Sequence, residues 1–326
     1  MKPRVMVTRR LPRRAMAVLD QHFEVRCNPH DRVLTREELL EGVRGQQGLL
    51  PLLTDPIDDA VMGAAGKQLR IIANYAVGFD NIDVAAATAR GIAVGNTPGV
   101  LTDTTADLTM ALILTVSRRI VEGDAYARAG KYQGWAPELL LGRDVHHQTL
   151  GLMGFGRIGQ AVARRAVGFD MRILYRARHR VSSEVEARTG ARYVDQETLL
   201  READIISLHV PLTARTRHLI GADELSMMKP TAFLINTARG EVVDEAALAE
   251  ALEAERIAGA GLDVFEQEPR IHPALTGMKQ VVLLPHVGSA SIATRTRMGE
   301  MAAENLMAVL LKDQQPPHCV NPEIYR

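Results

Sequence analysis

Residues 149–166, with the sequence TLGLMGFGRIGQAVARRA, constrain the fold of this chain more than any other stretch. A short apolar run leads into Gly154, Gly156 and Gly159, whose spacing fits G-x-G-x-x-G, and an amphipathic segment follows. In this motif the first glycine permits a tight turn, the second lets the backbone approach a pyrophosphate, and the third lets a helix pack against its strand. The stretch therefore predicts a strand, a phosphate-binding turn and a helix whose N-terminal N–H groups face the phosphates.

The residues after the next strand indicate which dinucleotide the chain prefers. An apolar run at 171–175 completes a βαβ unit, and residues 176–180 follow with the sequence RARHR. A site selective for NAD places an Asp or Glu about 20 residues beyond the glycine turn, where it binds the adenine ribose hydroxyls. Here no acid is present, and guanidinium groups bind the 2′-phosphate of NADP. We predict NADP(H) in preference to NAD(H), with NAD(H) still possible and with contacts from Arg176, Ala177 and Arg178. The alternative is a solvated loop without a ligand.

Composition and charge exclude several classes of partner. The chain has 326 residues, enough for two domains, and 39 basic residues balance 39 acidic ones, with a pI near 7.2. This balance argues against nucleic acid or a membrane surface as a partner, and no apolar run reaches the length of a membrane span. Cys27 and Cys319 form no CxxC pair, so we expect neither a disulfide framework nor a metal site, and we expect a cytoplasmic protein.

The order of strand-like and helix-like segments predicts two α/β domains. Helical patterns separate short apolar runs through the first hundred residues, and those runs lie at 4–7, 23–27, 48–53, 70–75 and 92–94. A helical pattern at 102–119 opens a second domain, and a long helical pattern at 289–311 most simply crosses back to cover the first. We therefore predict a discontinuous substrate domain, formed by residues 1–98 and 290–326, and a dinucleotide-binding domain at 99–289.

Polar residues accompany the predicted strands of the second domain at the point where each strand ends. Four apolar runs beyond residue 200 contain or run into His209, Arg239, Asp263 and His286. Because the carboxyl ends of parallel strands lie at one edge of a sheet, we expect these side chains to converge near the glycine turn. Packing alone does not account for polar groups at four such strand ends.

Three side chains suit hydride transfer between a nicotinamide and a carbonyl carbon. The reaction needs a group that holds the substrate and an acid that protonates the oxygen as the hydride arrives. Arg239 suits the first task, because a guanidinium holds an α-keto carboxylate with two parallel hydrogen bonds. His286 suits the second, since imidazole titrates near neutrality, and Glu268 upstream can accept its other N–H and favour the protonated ring. The alternatives are that Arg239 caps a helix or pairs on the surface and that His286 has no task.

Seven stretches resemble the D-isomer-specific 2-hydroxyacid dehydrogenases, and most closely their glyoxylate/hydroxypyruvate reductase branch. They cover nearly the whole chain in the family's order and read NYAVGFDNID, GNTPGVLTDTTADL, GFGRIGQAVARRA, SLHVPLT, INTARGEVVDEAAL, GAGLDVFEQEP and LLPHVGSA. The resemblance implies an α/β protein of two domains, with a Rossmann-type doubly wound parallel sheet for the cofactor, a flavodoxin-like substrate domain and an active site in the interdomain cleft. It also implies a homodimer that acts on small 2-keto or 2-hydroxy acids.

The resemblance assigns roles to individual residues. The family's substrate-binding arginine, its glutamate and its acid/base histidine fall on Arg239, Glu268 and His286. Its carboxylate-binding backbone falls on Val77 and Gly78, and a substrate-contacting leucine falls on Leu53. Trp135 matches a tryptophan that reaches into the substrate pocket of the neighbouring subunit, and Asp263 matches the residue that holds the nicotinamide carboxamide. The other predicted cofactor contacts are Thr105, Arg157, Ile158, His209, Pro211, Ala238 and Gly288.

Three functions are compatible with these residues. The main hypothesis is NADPH-dependent reduction of glyoxylate, hydroxypyruvate and larger 2-keto acids to D-2-hydroxy acids. A second function uses the same groups on another anion such as phosphite with NAD, and the missing acid after residue 175 counts against it. The third is a dinucleotide-sensing binding protein without catalysis, as among the corepressor relatives of the family, which can retain the arginine, the glutamate and the histidine.

Overall fold

The computed structural model describes all 326 residues as two α/β units. The first unit comprises Met1–Leu101 and Ser289–Arg326, and the second comprises Thr102–Gly288. The strands are β1 (Arg4–Val7), β2 (Glu24–Cys27), β3 (Gly48–Leu50), β4 (Ile71–Ala73), β5 (Ala93–Gly95), β6 (Thr149–Met153), β7 (Arg172–Arg176), β8 (Ala191–Tyr193), β9 (Ile205–Leu208), β10 (Phe233–Asn236), β11 (Gly259–Leu262) and β12 (Val281–Leu283). The α-helices are α1 (Arg13–His22), α2 (Arg36–Gly42), α3 (Asp59–Ala65), α4 (Val84–Ala89), α5 (Thr102–Ser117), α6 (Ile120–Arg128), α7 (Arg157–Ala166), α8 (Ser183–Thr189), α9 (Gln196–Glu202), α10 (Ala222–Met227), α11 (Glu245–Glu253), α12 (Pro273–Thr276) and α13 (Ile292–Lys312).

The first unit is built on a five-stranded parallel sheet with the order β2-β1-β3-β4-β5. This is the flavodoxin-like order of a doubly wound sheet. Strands β3 and β4 are buried along their whole length, as expected of central strands that are covered on both faces. Strand β3 is shorter than the apolar run at 48–53 because Pro51 has no N–H with which to continue the ladder. The residues beyond Leu50 therefore form a loop at the carboxyl edge.

Helix α13 belongs to the first unit although it lies near the end of the sequence. Ser291 caps its N-terminus by accepting a hydrogen bond from the N–H of Thr294 at 3.1 Å. Leu306 lies over Gly48 of β3, where a Cβ would come within 2.8 Å of the leucine side chain. Gly299 lies against Ala15 of α1, where an added Cβ would come similarly close to the alanine side chain. Small residues at these positions let the helix pack closely on the sheet and on α1.

The second unit contains a seven-stranded parallel sheet with the order β12-β11-β10-β9-β6-β7-β8. Strand β6 comes first in sequence and lies inside the sheet, so the chain adds β7 and β8 on one side of it and β9 to β12 on the other. Ligands of open α/β sheets bind beyond the carboxyl ends of the strands, at the point where the order reverses. Here that point lies between β6 and β9. The glycine motif directly follows β6, so the fold places it there.

Helix α5 covers one face of this sheet. The helical pattern predicted at 102–119 is present, and the helix ends at Ser117, two positions before Arg119, which has φ +53°. Its buried side chains include Leu112, which lies over Gly261 of β11, and the helix also packs on α7. No helix of this chain combines the length and the apolar character that a membrane span requires.

Candidate active site

The turn between β6 and α7 requires glycine at two positions and is open at a third. Gly154 has φ +97°, and a Cβ there would lie 2.4 Å from the carbonyl oxygen of His209. A Cβ on Gly159 would lie 2.4 Å from the carbonyl oxygen of Gly154, so both positions require glycine. A Cβ on Gly156 would meet no atom within 4 Å. Packing therefore does not explain Gly156, whereas a bare backbone at the N-terminus of α7 suits the close approach of a dinucleotide.

Polar residues follow the carboxyl ends of four adjacent strands. His209 follows β9, Arg239 follows β10, Asp263 follows β11 and His286 follows β12. Strand β9 is in turn paired with β6, which the glycine turn follows. The sheet thus brings the predicted carboxylate clamp, the predicted acid and the glycine turn to one edge of the second unit.

His286 and Glu268 form a close pair at this edge. Nδ1 of His286 donates to the Glu268 carboxylate, at 2.9 Å from Oε2 and 3.0 Å from Oε1. Nε2 of the ring makes no hydrogen bond within the chain. The His286 side chain is 25% exposed, so solvent and a small ligand can both reach the ring. With Nδ1 held by the carboxylate, Nε2 is the nitrogen left to exchange a proton with a substrate.

The surroundings keep Glu268 ionised. Burial is the largest influence on the pKa of Glu268 and raises it, but the hydrogen bond from His286 and the charge of that ring act in the opposite direction. The N–H of Phe265, at 3.2 Å, and the charge of Arg239 add to the lowering. The net pKa of Glu268 lies below the ordinary glutamate value of 4.5. Glu268 is therefore a charged acceptor for Nδ1 of His286 near neutral pH.

Asp263 holds the backbone of the loop that carries His286. Its carbonyl oxygen accepts from the N–H of His286 at 2.9 Å, and its carboxylate accepts from the N–H groups of Val287 at 2.7 Å and Gly288 at 2.8 Å. These bonds hold His286 at φ +53°, a conformation that favours glycine. Burial raises the pKa of Asp263 in spite of these donors. The structure thus shows Asp263 orienting the loop, and its contact with a nicotinamide carboxamide stays a prediction.

Arg239 lies in a tight turn that Asn236 organises. The buried amide of Asn236 donates to the carbonyl oxygen of Arg239 at 2.8 Å and accepts from the N–H of Ala238 at 3.0 Å. The half-buried guanidinium donates from Nη1 to the carbonyl oxygen of Ala238 at 2.8 Å. The next residue, Gly240, lies so close to Phe265 that a Cβ would come 1.8 Å from its carbonyl carbon. The turn is therefore packed against the start of the loop that follows β11.

His209 borders the glycine turn as a neutral ring. Burial lowers the pKa of His209 to about 3, so the imidazole carries no charge near neutral pH. Its Nε2 is hydrogen bonded to the hydroxyl of Ser207 at 2.9 Å, and its N–H donates to the carbonyl oxygen of Met153 at 2.7 Å. A neutral histidine cannot serve as the acid of this site. Its predicted contact with the cofactor remains a prediction.

The three arginines at the end of β7 and in the loop after it differ in their contacts. Arg176 folds back on Tyr193, with its guanidinium carbon 5.4 Å from the ring centroid and a hydrogen bond to the phenol oxygen. Arg180 forms a two-pronged ion pair with Glu186, at 2.8 and 2.9 Å. Arg178 is exposed and makes no hydrogen bond or ion pair within the chain. All the hydrogen-bond donors of the Arg178 guanidinium are therefore available to a phosphate.

The remaining predicted cofactor residues lie close to these elements. Thr105, in α5, donates from Oγ1 to the carbonyl oxygen of Gly288 at 3.2 Å and so supports the loop that carries His286. The others lie in the first turn of α7 or directly after β7 and β9, and they are Arg157, Ile158, Ala177 and Pro211.

The predicted carboxylate-binding backbone lies in the first unit, in the loop after β4. The side chain of Asn96 donates to the carbonyl oxygen of Val77 at 2.8 Å, and that of Asn74 donates to the carbonyl oxygen of Gly78 at 2.8 Å. The N–H groups of Val77 and Gly78 make no hydrogen bond within the chain. Two fixed, unused N–H donors in succession suit an anionic ligand. Leu53 lies in the loop after β3 of the same sheet.

Trp135 lies in a segment of the second unit that buries little of itself. Helix α6 has no buried residue, and Trp135 is 85% exposed. Other large apolar side chains of the segment 120–142 are also more than half exposed, among them Val121, Tyr132 and Leu141. Exposed apolar patches of this kind commonly mark contact sites for other molecules.

Sequence reasoning missed the asparagines that hold these loops. Asn74 and Asn236 are fully buried, and their amides fix the backbone of the two turns described above. Asn74 directly follows β4 and Asn236 is the last residue of β10, in the sequences IIAN and FLIN. A polar residue at the end of a buried strand is the signal that also indicated His209 and His286, and it applies equally to these two asparagines.

Comparisons with known proteins show relatives along the whole chain. The family model for the NAD binding domain of D-isomer specific 2-hydroxyacid dehydrogenases matches residues 110–288. Glyoxylate reductase of Korarchaeum cryptofilum is 53% identical, over 100% of this chain and 98% of that protein. Glyoxylate reductase of Thermococcus litoralis is 51% identical, over 99% of this chain and 98% of that protein. The NADPH-dependent glyoxylate/hydroxypyruvate reductase of Sinorhizobium meliloti, solved with NADP and malonate, has a TM-score of 0.86 and 35% identity, covering 98% of this chain and 97% of that chain.

These similarities extend over both units. The family model covers more than half of the 326 residues, including the glycine turn and the polar residues that follow β9 to β12. The relatives cover the first unit as well, and the similarity in three dimensions shows the same two-unit α/β fold. This chain therefore belongs to the D-isomer specific 2-hydroxyacid dehydrogenase family and is an NAD(P)-dependent dehydrogenase.

Proposed function

We propose that this protein reduces glyoxylate, hydroxypyruvate and related 2-keto acids to D-2-hydroxy acids, with NADPH as its preferred reductant. The observation that carries the proposal is the pairing of His286 with Glu268 at the sheet edge that also holds Arg239 and the glycine turn. Two relatives that match nearly the whole chain are named glyoxylate reductases, and the Sinorhizobium meliloti enzyme is named for both substrates. The geometry thus supports the type of reaction, and the relatives support the choice of substrate.

Arg239 binds the substrate carboxylate in this proposal. Its guanidinium can donate two parallel hydrogen bonds, which fix the direction in which the keto group points. The unused N–H groups of Val77 and Gly78 are proposed as further donors to the same carboxylate. A 2-keto acid held in this way presents one face of its carbonyl carbon to the hydride, so every substrate that gives a chiral product, which glyoxylate does not, gives a single enantiomer.

His286 supplies the proton. A bound nicotinamide supplies the hydride, and the carbonyl oxygen takes up a proton as its negative charge develops. Because Nδ1 of His286 is held by Glu268, the proton comes from Nε2. The ring is then protonated again from solvent, to which the side chain is 25% exposed. Glu268 stabilises the charged ring before transfer and keeps its plane fixed.

The preference for NADPH rests on the loop after β7. Arg178 has all its donors available for a 2′-phosphate, and Arg176 lies next to it, supported by the ring of Tyr193. No acidic residue occupies positions 176–180, where a NAD-selective site needs a carboxylate. The presence of NADP in the Sinorhizobium meliloti structure is consistent with this preference.

A steady-state matrix tests the proposal. NADPH and NADH are each combined with glyoxylate, hydroxypyruvate, pyruvate and 2-ketogluconate, and kcat/KM is measured for each pair. We expect turnover of glyoxylate and hydroxypyruvate, with NADPH preferred at least about tenfold, the effect of one or two charge-assisted hydrogen bonds. Equal turnover with NADH would contradict the cofactor preference. If NADP(H) binds but no 2-keto acid is reduced, the protein is a dinucleotide sensor instead.

We also propose that the protein is a homodimer in which the segment 120–142 forms part of the interface. The exposed side chains of Val121, Tyr132, Trp135 and Leu141 support this proposal, because a second copy of the chain would remove them from water. Trp135 would then reach the neighbouring subunit and contribute to its selection of substrate.

A further inference from the structure

Glu268 lies in a loop that contains little regular structure of its own. Strand β11 ends at Leu262 and α12 begins at Pro273, so ten residues connect them. Loops are usually more mobile than the elements they connect. Nevertheless, the carboxylate of Glu268 must stay within hydrogen-bonding distance of His286, which lies after a different strand. Some other group has to hold this loop in place.

The buried carboxylate of Glu245 binds the backbone of the loop. Glu245 is the first residue of α11 and is only 5% exposed, which is unusual for a glutamate. Its Oε1 accepts a hydrogen bond from the N–H of Glu266 at 2.8 Å. Glu266 lies two residues before Glu268. This carboxylate therefore ties the loop, close to Glu268, to the start of α11.

The charged and titratable groups around the two carboxylates are few. Near Glu245 they are the side chains of Glu266 and His272, and burial raises the pKa of Glu245 in spite of the N–H donors. The side chain of Glu266 points away to an ion pair with His218 at 2.7 Å. Near Glu268 they are His286, Arg239 and Asp263. Glu245 itself is not among the groups that act directly on Glu268, so any influence must pass through the backbone of the loop.

We propose that Glu245 is a positioning residue for the reaction, which holds the loop so that Glu268 stays paired with His286. The inference rests on the proposed function, in which this pair delivers the proton. Loss of the Glu245 carboxylate frees the N–H group of Glu266 and lets the loop move. The Glu268 carboxylate then spends less time beside the ring, and the protonated ring loses part of its stabilisation.

The test compares Glu245→Ala with Glu245→Gln in the full-length protein. We expect E245A to lower kcat/KM for glyoxylate by roughly tenfold to a hundredfold, the effect of a small displacement of a catalytic group. The alkaline limb of its pH profile should move to lower pH, with the KM for NADPH within about twofold of wild type. E245Q keeps an oxygen that can accept the N–H of Glu266, so it should restore most of the activity and the position of the limb.

A structural control and a measurement independent of turnover complete the experiment. Asp204 lies at the amino ends of β9 and β6, where it accepts the N–H of Thr149 at 2.9 Å and pairs with Lys229 at 2.7 Å, so Asp204→Ala removes a hydrogen-bonded carboxylate far from the loop. This variant should lower the melting temperature without moving the pH profile.

NMR gives a measurement that does not depend on turnover. The ring signal of His286 is identified as the one that is absent from the spectrum of His286→Gln. Its titration should show a lower midpoint in E245A than in wild type, even if the protein turns over none of the acids in the matrix. If E245A does not fold, Glu245→Asp, which keeps the charge but shortens its reach, should show the same shifts to a smaller extent. Unchanged midpoints and pH limbs in the folded variants would overturn the proposal.

Discussion

Arg239 combines a backbone fixed by neighbouring residues with a guanidinium suited to a carboxylate. Asn236 and the close contact of Gly240 with Phe265 hold the turn through the backbone, so replacing the arginine side chain leaves these contacts in place. We predict that Arg239→Ala lowers kcat/KM for glyoxylate by several orders of magnitude, about 3–5 kcal/mol of lost transition-state stabilisation, as for removal of one partner of a buried ion pair. Steady-state kinetics check this.

A lysine at the same position provides the matched control. Arg239→Lys keeps the positive charge but loses the two parallel donors, so its activity should lie between those of wild type and Arg239→Ala. Binding of NADPH, measured by fluorescence titration, should change little in either variant. An Arg239→Ala protein with wild-type kcat/KM would disprove the role of Arg239 as the carboxylate clamp.

The charge of Glu268 determines the pH range in which the site works. The pKa of Glu268 is lowered in the folded protein. The charged carboxylate therefore stabilises the fold fully above the pKa of the unfolded chain, about 4.5, and this stabilisation is lost as the pH falls through the lower pKa of the folded protein. Near neutral pH it is therefore charged and favours the protonated imidazole. We predict that Glu268→Gln moves the alkaline limb of the kcat/KM profile to lower pH by about one unit or more, because the neutral amide no longer stabilises the charged ring. A pH profile of the glyoxylate reaction between pH 5.5 and 9.5 measures the shift, and an unmoved limb would rule out this role.

At the scale of single elements, two arginines of the loop after β7 differ in whether they have a partner within the chain. Arg178 has none within the chain, whereas Arg180 is held by Glu186, whose pKa is lowered to about 2 by hydrogen bonds from Arg180 and Tyr175. We predict that Arg178→Ala raises the KM for NADPH roughly tenfold to a hundredfold, since a hydrogen bond to a charged group contributes about 1.5–3 kcal/mol. The KM for NADH should hardly change.

Arg180→Ala is the control for this loop. This variant also removes one positive charge from residues 176–180. Because the guanidinium of Arg180 is already paired with Glu186, we expect less than a threefold change in the KM for NADPH. Equal losses for NADPH and NADH in Arg178→Ala would show that the arginine supports the loop and does not select the cofactor.

At the scale of the whole molecule, the segment 120–142 determines the expected assembly. The double substitution Val121→Glu with Leu141→Glu places charges on two exposed apolar positions of this segment. We predict that wild type sediments as a dimer at micromolar concentration and that the double variant sediments as a monomer, because charges are costly to bury in an interface. Leu311→Glu, at an exposed apolar position of α13 outside the segment, should remain dimeric. A monomeric wild type would refute the homodimer.

Local sequence patterns predicted most of the elements of this fold. The strand at 149–153 has the predicted bounds, and the helix predicted at 102–119 is two residues shorter. The predictions worked where the signal is local, because apolar periodicity and glycine spacing act over a few residues. They failed at element ends, as at Pro51, and they missed Asn74 and Asn236, whose amides bind backbone groups that come near only in the folded chain.

The sequence by itself determined the order of strands and helices, the glycine turn and the types of polar residue at the strand ends, since all of these depend on near neighbours in the chain. Tertiary structure alone decided which of these groups meet. It paired Arg180 with Glu186 and left Arg178 open, and it brought Glu268 beside His286 from 18 positions away. It also placed Glu245 beneath the loop of Glu268. The physical reason is that hydrogen bonds and ion pairs depend on distances of about 3 Å between atoms, which only the packed chain establishes for residues remote in sequence.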